Sequence, residues 1–128
     1  MAPPKVVIVD DEEDICEILS IALTARGFDV STANDGVEGL KLIRRLRPAV
    51  AVVDIQMPRM NGYDLILRLS EDPSMAATRV VVATSLTQDG TRSDDNWSNS
   101  LGVAGFMTKP FNPSDLADCI DRILAQRP

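Results

Sequence analysis

AVAVVDI, residues 49–55, is apolar at every position until Asp54. Successive side chains of a strand point to opposite faces of a sheet. A strand without polar alternation is therefore covered on both faces, the pattern of a central strand in a parallel sheet. KVVIVD (5–10) and RVVVATS (79–85) repeat the pattern. VAGFMTK (103–109) is a further strand of similar length, and FDVSTAN (28–34) alternates as a half-buried strand does.

Helical spacing fills the gaps. Ile15, Leu19, Ala22 and Leu23 share one face, and Gly27 is a C-terminal stop. In DGVEGLKLIRRLRP (35–48), Val37, Leu40 and Ile43 or Leu46 form a second apolar face that ends near Pro48. MPRMNG (57–62) is a loop broken by Pro58 and Gly62, and YDLILRLSED (63–72) is a short helix before Pro73. The last helix buries Leu116, Ile120, Ile123 and Leu124, with Ser114 as its expected N-cap. TQDGTRSDDNWSNS (87–100) should hold the fourth of five helices. It is polar, with only Trp97 and Leu101 at helical spacing, so a long loop and a short helix are expected there. Strand and helix thus alternate five times. That order predicts an α/β fold: a doubly wound, five-stranded parallel sheet with helices on both faces.

Composition narrows the class. The 128 residues fit one domain, and no linker, repeat or low-complexity tract divides them, so one domain over 1–128 is expected with its core at about 5–126. The apolar runs are far shorter than a membrane span, and MAPPK has no apolar signal-peptide stretch. A cytoplasmic location and no membrane partner are expected. Cys16 and Cys119 stand far apart without CxxC spacing and read as reduced, packed thiols. The net charge of −6 argues against a nucleic-acid surface, a local patch at Arg44, Arg45 and Arg47 notwithstanding. The chain has no histidine, which removes histidine triads and most zinc sites.

In open α/β sheets, sites form outside the carboxyl ends of the strands. Here those ends carry Asp10 and Asp11, then Asp54, then Thr84 and Ser85, then Lys109 followed by Pro110. The second strand ends in Asn34 and Asp35, expected off to one side. Carboxylates this close need a compensating cation. Oxygen ligands without His or Cys favour a hard ion, Mg²⁺ or Mn²⁺. Lys109 and Thr84 add a positive charge and a hydroxyl, which suit a phosphoryl group, and Asp54 suits an aspartyl-phosphate. Each residue alone has an ordinary reading. Glu12, Glu13 and Asp14 suit a solvated helix start, and Asp54 suits a turn. The signal is their joint arrival at one rim.

VDDEED, VVDIQMPRMNGYDL, VVVATS and GFMTKPF together resemble the response-regulator receiver domains of two-component signalling, of the chemotaxis-regulator type. The resemblance covers essentially the whole chain. It implies a flavodoxin-like fold with strand order 2-1-3-4-5. It implies that Asp54 accepts a phosphoryl group from a phosphohistidine on a sensor histidine kinase or phosphotransfer protein. Asp10, Asp11, Asp54 and the backbone carbonyl of Gln56 would hold the metal, Asp11 directly and Asp10 through water. Thr84 would be the switch hydroxyl, Lys109 the phosphate-contacting base, and Phe106 a switch aromatic that acts sterically because it lacks a hydroxyl. An ordinary core role for Phe106 stays open. The Lys109–Pro110 bond is expected to be cis. A downstream effector or output domain is implied, with at most a weak homodimer. The stretch between Thr84 and Lys109 looks a few residues longer than the family pattern, which puts the usual dimer through it in doubt.

Two other functions compete. A phosphohydrolase with an aspartyl-phosphate intermediate needs a second acid two residues after the nucleophile, where this chain has Gln56. A degenerate receiver would bind a partner regardless of phosphorylation, as a protein-interaction module. The chain reads as a signalling domain that catalyses only its own phosphorylation and dephosphorylation, either free-standing or cut from a longer regulator. The resemblance further implies that Gln56 and Leu86 occupy the two variable positions flanking the phosphoryl site, which in the family tune autodephosphorylation, and an apolar Leu86 positions no attacking water. A moderately long-lived phosphoryl state is expected; its disappearance within seconds in a timed decay assay would overturn this.

Overall fold

The computed structural model describes residues 2–57, 60–85 and 102–126, with the side chains of Thr84 and Ser85 left out. Among these, β1 (Lys5–Val9), α1 (Glu13–Ala25), β2 (Asp29–Ala33), α2 (Gly36–Leu46), β3 (Val50–Asp54), α3 (Gly62–Ser70), β4 (Arg79–Ser85), β5 (Gly105–Lys109) and α4 (Pro113–Ala125) follow one another. A 3₁₀ turn, Pro73–Met75, precedes β4. The polar 87–100 segment, Leu86, Trp97 and Pro58 lie outside the described residues.

All strand pairings are parallel, and the order is β2-β1-β3-β4-β5. Period-two side-chain geometry splits the aliphatic runs between two cores. Val6, Ile8, Val50, Val52 and Val81 pack with Leu19 and Leu23 of α1 and with Leu116 and Ile120 of α4. Val7, Val9, Ala51, Val53 and Val82 pack with Leu40 and Ile43 of α2 and with Leu65 and Ile66 of α3. Every residue of β3 is buried, as its unbroken apolar run predicts, whereas the edge strand β2 exposes Asp29 and Thr32. No helix among the described residues is long and apolar enough to cross a membrane.

The helix ends follow from short-range chemistry. Asp35 accepts from Glu38 N–H at 2.8 Å to cap α2, and Asn61 accepts from Asp64 N–H at 2.9 Å to cap α3. Gly27 closes α1 at φ 98°, which a residue with a Cβ adopts only under strain. The expected cap at Ser114 is corrected: α4 begins at Pro113, with Asn112 in the N-cap position. Proline at the first helical position needs no N–H partner and has its φ already set, so the helix starts two residues earlier. Cys16 and Cys119 are free and buried.

One close approach links the fold to the strand ends. A Cβ on Gly62 would lie 2.2 Å from the backbone oxygen of Asp54, and Gly62 N–H donates to Ile55 O at 3.0 Å. The start of α3 therefore rests directly on the end of β3. Gly62→Ala should lower the unfolding free energy by about 2 kcal/mol, because overpacking against backbone outweighs the gain in helix propensity. Urea denaturation checks this; an unchanged or raised midpoint would contradict it.

Candidate functional site

Parallel pairing brings the carboxyl ends of all five strands to one rim. Asp54 is the last residue of β3 and is 5% exposed; Asp10 directly follows β1 and is 3% exposed. They are the two buried acidic side chains among the described residues. Lys109 ends β5, at the far edge of the sheet from β2. Its long side chain returns over the rim, and Nζ donates to Asp10 Oδ2 at 2.7 Å and to Asp54 Oδ2 at 3.3 Å. Glu12 Oε1 lies 3.6 Å from the same nitrogen, although that side chain is 62% exposed. The Lys109–Pro110 peptide is cis.

The remaining carboxylate oxygens are held from the backbone. Glu12 N–H donates to Asp10 Oδ1 at 2.9 Å, and Gln56 N–H donates to Asp54 Oδ1 at 3.1 Å. The Gln56 side chain is exposed. Thr84 follows Ala83, the β4 residue that pairs with Asp54, and Thr84 itself pairs with Thr108. Its backbone therefore stands beside the acid on the next strand. Phe106, near the start of β5, is 38% exposed and is no core aromatic.

Burial pushes the Asp54 carboxyl above its ordinary value; the Gln56 N–H and the Lys109 charge oppose that rise without cancelling it. Burial pulls Lys109 down, but its bond to Asp10 and the charges of Asp54 and Asp10 outweigh this and hold it above its ordinary value. Burial, with the Asp10 charge next to it, pushes Cys16 up to about 11, so that side chain is a thiol at neutral pH.

The site thus sets two buried carboxylates against one ammonium, with Asp11 and Glu12 adding negative charge. Oxygens of Asp10, Asp11 and Glu12 lie within 4.8 Å of one another. An oxygen-only donor set with excess negative charge fits a hard divalent cation. Sequence reasoning misplaced one neighbour and, for a second that is packed as expected, gave no polar contact. Asn34 was expected off to one side, yet its Nδ2 donates to Asp10 O at 3.3 Å. Cys16, expected as a packing thiol, donates to the same oxygen at 3.4 Å. The clue was available: β2 pairs with β1, so its end stands beside Asp10.

The family model of the response regulator receiver domain matches residues 6–121. This chain belongs to that family. As a receiver domain of two-component response regulators, it is similar to the protein PilH of Pseudomonas aeruginosa, 31% identical over 121 residues covering 94% of this chain and 98% of PilH. It is also similar to the alkaline phosphatase synthesis transcriptional regulatory protein PhoP of Bacillus subtilis, 32% identical over 120 residues, 94% of this chain and 48% of PhoP. Among solved structures, the chemotaxis protein CheY4 of Vibrio cholerae matches with a TM-score of 0.87 and 30% identity, covering 95% of this chain and 99% of that one. The receiver spans about half the length of the transcriptional regulators it matches.

The Asp54 environment has a consequence for stability. A carboxyl whose folded-state pKa is raised favours folding while protonated, and that contribution is lost as pH rises from the ordinary carboxylate range through the folded value. Asp54→Asn removes the loss. In chelator-containing buffer at neutral pH, the variant should resist urea better than the wild type. The difference should vanish in acid, where Asp54 is protonated in both states. A variant less stable at neutral pH would contradict this.

Proposed function

We propose that this receiver domain accepts a phosphoryl group on Asp54 in a reaction that depends on Mg²⁺ or Mn²⁺. The observation that carries the reading is the reach of Lys109 from β5 to both buried carboxylates, at 2.7 and 3.3 Å. A lysine spanning the sheet is not needed to cap a strand, and a solvated acid cluster would not hold two acids under 6% exposure. Asp10, Asp11, Asp54 and the Gln56 carbonyl would hold the cation, with Glu12 close to them. When bound, the cation would supply positive charge against the phosphoryl oxygens and the crowded carboxylates.

The donor would be a phosphohistidine on a sensor histidine kinase or a phosphotransfer protein. An Asp54 carboxylate oxygen attacks phosphorus, an O–P bond forms, and the P–N bond breaks. The imidazole nitrogen keeps the bonding electron pair and is then protonated from solvent. Burial keeps the Asp54 carboxylate poorly solvated, so it gains by sharing its charge with phosphorus. Lys109 Nζ already touches one Asp54 oxygen and can follow the charge onto the phosphoryl group. Thr84, on the adjacent strand, would turn its hydroxyl to a phosphoryl oxygen, and the half-exposed Phe106 would repack. These moves would alter a surface that an effector or output domain reads. The chain catalyses its own modification and otherwise acts by binding, within the cytoplasm and without nucleic acid or membrane as a partner of this domain. The reading holds for one domain over 1–128, alone or joined to others.

The decisive test is intact mass after incubation with a small phosphodonor and Mg²⁺. One phosphoryl adduct is expected. It should be absent in Asp54→Asn and in the metal-free control. No adduct, under conditions that label another receiver, would favour a phosphorylation-independent interaction module.

A further inference from the structure

Every polar backbone atom of Asp10 is held by a neighbour, and none of the three holders has a part in the phosphoryl reading. Asp10 N–H donates to Ala33 O at 3.1 Å. Asp10 O accepts from Cys16 Sγ at 3.4 Å and from Asn34 Nδ2 at 3.3 Å. Asn34 Nδ2 also lies 3.9 Å from Cys16 Sγ. A carbonyl oxygen has two lone pairs and an amide NH₂ has two protons, so all of these bonds can coexist. The donors come from different elements, Cys16 from the first turn of α1 and Asn34 from the residue after β2.

The peptide that carries Asp10 O is the one that leads into Asp11. A peptide unit is planar, so fixing its oxygen fixes the direction in which the chain enters the Cα of Asp11. Asp11 is exposed and follows the end of β1, where the sheet ladder no longer orients it. From this we propose that Cys16 and Asn34 are positioning residues that clamp the Asp10–Asp11 peptide. The clamp presents the Asp11 carboxylate beside Asp10 and Glu12 for a divalent cation. This rests on the metal-dependent reading above. Partners that orient metal ligands from behind commonly govern affinity by tenfold or more.

The test titrates Mg²⁺ into the full chain by calorimetry, for the wild type, Cys16→Ala, Cys16→Ser and Asn34→Ala. Urea unfolding in chelator is measured alongside. Cys16→Ala and Asn34→Ala should each weaken Mg²⁺ binding by about tenfold. Cys16→Ser keeps a donor and should bind close to wild type, whatever its stability. A purely structural role would instead make affinity follow stability across the three variants, and that result would overturn the clamp. So would wild-type affinity in both alanine variants. If Cys16→Ala fails to fold, Asn34→Ala decides, because Asn34 is exposed and its loss leaves the core intact. No saturable Mg²⁺ binding by the wild type would overturn the metal reading itself and the clamp with it, whereas normal wild-type binding with unaffected variants would overturn the clamp alone.

Discussion

One ammonium group joins the two buried acids among the described residues. Lys109 Nζ lies 2.7 Å from Asp10 and 3.3 Å from Asp54, and these three residues come from β5, from the end of β1 and from β3. Removing a carboxylate from water is costly unless it is paired and hydrogen-bonded. Here each acid receives a backbone N–H on one oxygen and the lysine on the other. Charge therefore adds to strand pairing in tying the carboxyl ends of β1, β3 and β5 together. Acidic side chains outnumber the one lysine at this rim, and that excess underlies the proposed cation site.

The rest of the architecture exists to make this crowding tolerable. The strands beneath the rim are nearly continuous aliphatic runs, covered by α1 and α4 on one face and by α2 and α3 on the other. Each fully buried Val, Ile or Leu side chain contributes about 1.5–3 kcal/mol, so a few of them offset the strain of one desolvated carboxylate. The crowded acids thus stand on an inert apolar floor. Close contacts transmit that rigidity to the site. Gly62 lets α3 rest on the backbone of Asp54, and the bonds to Asp10 O from α1 and β2 fix the opposite side.

Much of this was legible because it depends on local chemistry. Asp54 stood out because it interrupts an apolar run at a strand end. The parallel sheet was legible because AVAVVDI and RVVVATS show no polar face. The misses share a cause. Ser114 was taken as a cap because capping preference is a local rule, but Pro113 could start the helix earlier. Cys16 and Asn34 went unassigned because their common partner is a backbone carbonyl, which no residue type reveals. For Phe106, left open between a switch and a core role, the 38% exposure rules out only the core role.

By itself, then, the sequence determined which residues reach the carboxyl rim and what charge they bring, because strand length and periodicity follow from near neighbours. It also carried the motifs that mark a receiver domain. Only the tertiary structure decided that one lysine serves both buried acids, that Glu12 stays largely in water while approaching that lysine, and that a thiol and a carboxamide converge on Asp10 O. The physical reason is reach. A hydrogen bond is settled within about 3.5 Å, while these partners are separated by up to 99 positions along the chain. Parallel pairing of the strands, held by helices packed on both faces of the sheet, brings such distant groups within that range.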